Sequence, residues 1–268
     1  MVLYLLIITI KKANMLIVIS PSKTQDFSKS FESKTHTIPV FLKESQELIT
    51  ILKTYKLTDL LHLLKVNKSL AELNYKRIKN WNILHPEKKS KTAVLAFKGG
   101  AFKNLKAHTF TTSDFEFSSL HIRILSGLYG LLRPLDYIMP HRLEMGTNIS
   151  NFYGKNLYKF WNEKITFELN RIAKENNFKT LINLASGEYF KAINTKSIDI
   201  KVVNITFMQQ QNGAYKVLGV FSKKARGKMV NFIVKNRIIE LSELKLFNND
   251  GYVFNPKLSS EQEMVYTR

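Results

Sequence analysis

Four short apolar-rich runs, each closed by a polar loop, constrain this chain most: Met15–Ile19, Ala93–Phe97, Ile122–Leu125 and Leu181–Ala185. Each has strand length and is bounded by turn residues. Between them lie helical patterns. Leu48, Ile51, Leu52, Leu60, Leu63 and Leu64 recur at helical spacing within Pro39–Trp81. An amphipathic helix is expected over Leu157–Lys174, and another from Lys223 to about Ile239. Strands alternating with helices predict a mixed α/β (α+β) single domain, its largely parallel or mixed sheet covered by helices. In such sheets ligands bind beyond the carboxyl ends of the strands. Five polar loops, Ser20–Asp26, Lys98–Lys103, Ser126–Asp136, Ser186–Glu188 and Ser222–Arg226, each follow an expected strand. With parallel strands they converge on one sheet edge.

The stretch Arg123–Gly146 reads as a buried strand that breaks at Ser126 and Gly127 into a long loop. Leu128, Tyr129, Leu131, Leu132, Leu135, Tyr137, Ile138 and Met139 make it too apolar for disorder. A long ordered loop on a rigid scaffold is a candidate site. Ser113 is expected to cap a short helix. Val202–Phe207 and Tyr215–Phe221 read as strands joined by a hairpin at Asn212 and Gly213, with a tail hairpin around Tyr252 and Val265.

Lys plus Arg number 41 against 21 Asp plus Glu, a formal charge of +20. Such an excess raises affinity and association rate for polyanions, with nucleic acid first and an anionic membrane surface second. The absence of cysteine excludes disulfides, thiolate catalysis and Cys-ligated metals. The histidines, His36, His62, His85, His108, His121 and His141, have no metal-binding spacing, so neither a metal site nor another cofactor is expected. The apolar run Val2–Ile10 is too short to span a bilayer, which takes ~20 residues. Its lysines follow it, unlike those of a signal peptide. Residues 1–14 therefore read as an upstream extension outside the native fold, with residues 15–268 forming the domain. A cytoplasmic, non-membrane protein without an obligate protein partner is expected.

Between Lys216 and Arg237 there are seven Lys or Arg and no Asp or Glu. With Ser222 as the expected N-cap, Lys223, Lys224 and Arg226 fall in the first helical turn, where cations oppose the helix dipole. An anion to be held there would explain the arrangement. Arg226 falls on the side of Met229 and Ile233 and needs an anionic partner, either a buried carboxylate or a ligand phosphate. Lys224, Lys228 and Lys235 form an outer stripe. Lys98, Gly99, Gly100 and Lys103 could present N–H groups and ammonium groups to a phosphate. With Lys23, Arg133 and Arg142, the residues Lys98, Lys223, Lys224 and Arg226 make up the expected DNA- or anion-binding set. Ser20, Ser126, Tyr129, Asp136, Glu144, Ser186 and Glu188 are polar candidates in the crevice. No Ser/His/Asp order emerges from spacing, and carboxylates beside arginines more often form ion pairs than do acid/base work. A binder is therefore expected in preference to an enzyme. An enzyme acting on a nucleotide or nucleobase in the same crevice is the alternative. Two short basic helices between Leu57 and Trp81, joined near Asn67–Ser69, could offer Lys65, Lys68, Lys76, Arg77 and Lys79 to phosphates.

Eight blocks in order, MLIVISPSKT, AVLAFKG, HIRILSGLYGLLRPLD, RLEMG, LYKFWNEKIT, LINLASGEYFK, FSKKARGKM and FNNDGYVF, resemble the YaaA family of peroxide stress resistance proteins. The resemblance implies a basic cleft at one sheet edge and binding of duplex or locally opened DNA. It further implies a cytoplasmic role in limiting iron-dependent oxidative DNA damage under hydrogen peroxide. It also implies a helix-hairpin-helix element within Leu57–Trp81. Here that hairpin has no glycine, and His141 stands where a tyrosine is expected.

Overall fold

The computed structural model describes residues 14–28, 36–84, 89–150 and 152–268. Residues 1–13, nearly all of the segment read as an extension, lie outside that set. Asn14 is tied into the fold: its carbonyl accepts from the N–H groups of Lys179 and Thr180 at 3.0 and 3.2 Å.

The centre of the molecule is β1 (Met15–Ile19), whose five apolar residues are at most 1% exposed. Successive side chains of a strand face opposite ways, so both faces of the sheet are covered here. Three helices follow: α1 (Leu42–Thr54), α2 (Leu57–Leu64) and α3 (Lys68–Asn80). Helices α2 and α3 are the two short helices expected between Leu57 and Trp81, joined by a tight turn. Asn67 caps α3 by accepting from Leu70 N at 3.0 Å. Lys65 takes the left-handed conformation (φ 50°) that glycine usually supplies at such a turn. That is how the hairpin forms without one.

A short strand β2 (Lys91–Thr92) precedes α4 (Ala93–Ala96). The expected strand Ala93–Phe97 is thus a helical turn, because a short apolar run does not by its pattern distinguish buried strand from buried helix. Then come α5 (Gly100–Leu105) and α6 (Thr112–His121). Thr111, not Ser113, caps α6, in a reciprocal box with Asp114.

Strands β3 (Ile122–Ser126), β4 (Gly130–Leu132) and β5 (Tyr137–Ile138) lead to α7 (Leu157–Trp161) and α8 (Lys164–Asn176). The single helix expected over Leu157–Lys174 is broken at Asn162 (φ 39°). After β6 (Thr180–Leu184) and α9 (Gly187–Phe190), the strands β7 (Lys201–Gln211) and β8 (Ala214–Lys216) meet at Asn212 and Gly213. Both of these residues have positive φ, as a tight hairpin needs.

Helix α10 (Gly219–Lys235) starts four residues earlier than expected and takes in Phe221, which had read as strand. Ser222 is therefore buried inside the helix, and Leu218 is the N-cap residue. A tail hairpin pairs β9 (Val253–Phe254) with β10 (Glu263–Thr267).

The sheet runs β4-β3-β1-β6-β7-β10-β9, with β8 beside β7. β1 is parallel to β3 and β6, β6 to β7, and β7 to β10; β4, β8 and β9 are antiparallel additions. The sheet is therefore mixed, with a parallel centre.

The loop after β3 is ordered by two tryptophans. Trp161 Nε1 donates to the Gly127 carbonyl at 3.0 Å and Trp81 Nε1 to the Tyr129 hydroxyl at 3.0 Å. Gly130 has φ 65° and no room for a Cβ against the Trp161 ring. At Gly227 a Cβ would collide with the Ala101 carbonyl, so α10 and α5 touch backbone to backbone.

Asp114 ties the start of α6 to the end of α10, pairing with Lys235 at 2.6 Å and Arg237 at 2.7 Å. Burial alone would push its carboxyl up. Hydrogen bonds from Lys235, Thr111 and Arg237 outweigh burial and hold it well below the usual carboxylate range. A depressed pKa adds stability above the unfolded value of ~3.9 that is lost as pH falls. Asp114→Asn should cost about 1–3 kcal/mol at pH 7. The gap to the parent protein should narrow in melts below pH ~4.

Candidate functional site: a basic cleft at the ends of the parallel strands

The parallel register sets Ile19 beside Ile124 and Leu184. The residues just past them bring Ser20, Ser126 and Ser186 to one sheet edge. Ser20 Oγ accepts from Ser186 N at 2.8 Å and donates to Ser186 Oγ at 3.2 Å. Ser126 is buried and accepts from Tyr129 N at 3.1 Å. The chain leaves β1 towards β3 on one side and reaches β6 on the other, so the edge beside Ser20 is a topological switch point.

A small cavity of about 20 Å³ lies here, lined in part by Lys23, Gln25, Ser126, Arg142, Glu144 and Tyr189. That is room for about one water. Glu144 joins its two cations, meeting Lys23 at 2.5 Å and Arg142 at 3.0 Å. Arg142 Nε is buried without an acceptor. Glu188 accepts from Gly146 N at 3.0 Å. Burial, then the nearby carboxylates Glu188 and Glu144, push the Tyr189 phenol up, so it stays protonated.

Beside this cavity opens a groove of about 670 Å³ lined by Thr24, Gln25, Asp26, Ser28, Lys98, Gly99, Gly100, Lys103, Asn104 and Lys224. Gln25 belongs to both, and Gln25 Oε1 accepts from His141 N at 3.0 Å. The residues Lys98–Lys103 follow a helix, not a strand, yet reach the expected edge. Lys98 N donates to Thr24 O and Asp26 N to Ala96 O, both at 2.8 Å.

Among the described residues Asp26 is the one carboxylate that lines the groove. Hydrogen bonds from Lys98 and Ser28 hold it well below the usual range, and the Lys98 contact is 2.7 Å. It therefore remains ionised and cannot exchange protons near neutrality. Along cavity and groove, five cations (Lys23, Arg142, Lys98, Lys103 and Lys224) face two carboxylates (Glu144 and Asp26).

Not every expected residue lines this cleft. Tyr129 is fully buried, its hydroxyl accepting from Trp81 and Met139 N, and burial pushes the phenol up. Arg133 grips Asp136 through Nε and Nη2, both at 3.0 Å, while Asp136 also accepts from Thr37 at 2.5 Å. Those two form a buried tie between segments and do not line the cleft. Lys223 packs with its Cβ 3.8 Å from the position of a Gly100 Cβ.

The early start of α10 moves Lys223, Lys224 and Arg226 into the second turn, so the expected conflict with the helix dipole is absent. On the outer stripe Lys235 pairs with Asp114 and Lys228 with Asp250, leaving Lys224 to face the groove. Asn104 and Tyr189 join the cleft without having been expected, whereas Gln25 and Asp26 belong to the Ser20–Asp26 loop expected at this edge. For Tyr189, three residues past Ser186, a signal existed in the sequence.

Arg226 is half-buried. Its Nε has no acceptor, and desolvation lowers its pKa. Among the described residues no carboxylate pairs with it, so the expected buried partner is not there. A desolvated, unmatched guanidinium destabilises the fold. Arg226→Met should therefore keep or raise the melting temperature, whereas loss of a paired arginine would lower it by several degrees.

A family model described as "Peroxide stress protein YaaA" matches residues 15–258. Three UPF0246 proteins align over 254 residues, 95% of this chain. Those of Acaryochloris marina, Saccharophagus degradans and Teredinibacter turnerae are 44%, 43% and 42% identical, over 100%, 99% and 99% of their own lengths. The chain belongs to the YaaA family of peroxide stress proteins.

Proposed function

We propose that this protein binds DNA through its basic cleft, duplex or locally opened, and acts in resistance to peroxide by shielding DNA from iron-dependent oxidation. The observation that carries the binding is the groove whose lysines, Lys98, Lys103 and Lys224, outnumber the single, already paired carboxylate that lines it among the described residues. Family membership supports the peroxide role. A lysine-lined open trough without a titratable acid or base suits phosphate tracking, which needs donors alone. The α2–α3 hairpin fits the same reading. Arg77 of α3 has its pKa lowered by burial and then by Arg142, so hairpin and cleft share one electrostatic field.

A second reading, an enzyme acting on a nucleotide, draws on the Ser20–Ser186 hydroxyl pair at the switch point. The nearby cavity lined by Ser126, Arg142 and Glu144 accommodates about one water, so a nucleotide would have to open it. Turnover of a nucleotide by the purified protein, lost in Ser186→Ala, would establish that reading.

For the binder, log Kd against log salt should be a straight line, because phosphate contacts release counterions. Lys103→Ala with Lys224→Ala should reduce the slope by about 2, one per phosphate contact, at unchanged melting temperature. A salt-independent affinity, or no affinity at low salt, would overturn the proposal.

A further inference from the structure

At the end of the groove marked by Lys224 the surface changes character. Within seven residues, Tyr215, Val217, Val220 and Phe221 are 44, 53, 68 and 39% exposed. Scattered single apolar side chains are ordinary on a surface, but a run of four next to a ligand groove is not. Lys224 connects the two, since it lines the groove and also holds its ammonium 5.9 Å from the centre of the Phe221 ring. The guanidinium of Arg268 lies 5.1 Å from the same ring. Phe221 is thus an exposed aromatic ring held between two cations, on a helix without a single acidic residue.

Lysines that follow a backbone, beside an aromatic side chain left open to solvent, match what an unpaired nucleic-acid strand requires. On binding, a cation over the ring moves to a phosphate, and the ring face it leaves takes a base. A duplex has no such use for the ring, because its bases are stacked on one another. A partner protein would need a wider apolar face, and the cations flanking Phe221 work against that.

We infer that Phe221, flanked by Lys224 and Arg268, is a stacking step for an unpaired base of a strand whose phosphates run along the Lys98–Lys103–Lys224 groove. The inference rests on the DNA-binding reading and adds which part of an opened DNA lies at this end.

The test compares Phe221→Ala and Phe221→Trp with the parent protein, using a 15-nucleotide oligothymidylate and a blunt duplex of equal length. Phe221→Ala should weaken oligothymidylate binding about tenfold or more, the loss of one stacked base, and change duplex binding less than twofold. Phe221→Trp should bind oligothymidylate as the parent does, with its indole fluorescence quenched on binding. Melting temperatures of both variants serve as the folding control, since the side chain is well exposed. Equal losses on both DNAs, or no loss on either, overturn the stacking step while leaving groove binding intact. Failure of the parent to bind either DNA overturns the groove reading itself. Binding to phosphatidylserine vesicles that disappears in Phe221→Ala, with oligothymidylate affinity unchanged, would reassign the patch to a membrane surface.

Discussion

Everything functional in this fold hangs on the two parallel ladders of β1, to β3 on one side and to β6 on the other. MLIVI is almost wholly withdrawn from water, so its backbone groups must be matched by neighbouring strands. β3 and β6 supply most of them, and the His121 ring nitrogen lies 2.8 Å from the Met15 carbonyl. The same register that satisfies those groups brings Ser20, Ser126 and Ser186 abreast. A slip by one residue would turn the apolar side chains of β1 to the wrong faces and scatter the three serines. Core packing and site assembly are one event here, with no separate device needed to bring the loops together.

The surplus of positive charge is unevenly neutralised. Away from the cleft, acidic residues meet the cations: Asp114 holds Lys235 and Arg237, Asp136 holds Arg133, Asp250 holds Lys228, and Glu168 with Glu175 holds Arg171. At the groove the balance reverses. Among the described residues Lys103 and Lys224 line it with no carboxylate in salt-bridge range, and Arg226, one turn of α10 from Lys223, keeps an unmatched Nε. Net charge alone predicts a polyanion partner somewhere. The distribution of ion pairs says where on this surface such a partner would gain most.

The sequence made the sheet centre legible because its strands are buried on both faces and read as short apolar-rich runs. It failed where an apolar run was short or where tertiary packing decided the outcome. AVLAF became a helical turn, and Val220 and Phe221, strand-like by propensity, became the first turn of α10. The contact of Gly227 with Ala101 ties α10 to α5 at close range, and propensity yields to such packing. Of the cleft, the serines and lysines next to the strand ends could be seen. The Ser20–Asp26 loop was legible at this edge, but not the part of Gln25 and Asp26 in the groove, which depends on pairing of Gln25 with Phe97, far along the chain. Arg133 and Asp136 were misplaced for the opposite reason. Their i,i+3 spacing already contained the ion pair that takes them out of the site.

The helical hairpin carries the same logic into a second element. Lys65 accepts a left-handed backbone that costs roughly 1 kcal/mol more than glycine would. Arg77, further along α3, is partly buried beside the like charge of Arg142. At Lys65 the cost is offset as Lys65 N and Val66 N donate to the His62 and Leu61 carbonyls at 3.3 and 3.2 Å, whereas the placement of Arg77 near Arg142 costs stability. Like charges brought together in this way are relieved when an anion comes between them, and screened when salt is added. Arg142 already has Glu144 on one side and an unmatched Nε within, so one carboxylate is shared by Arg142 and Lys23 with Arg77 close by. On the DNA-binding reading a phosphate supplies the missing charge. Hairpin and cleft then act as one surface, because the electrostatic cost of holding Arg77 near Arg142 falls as the ligand binds.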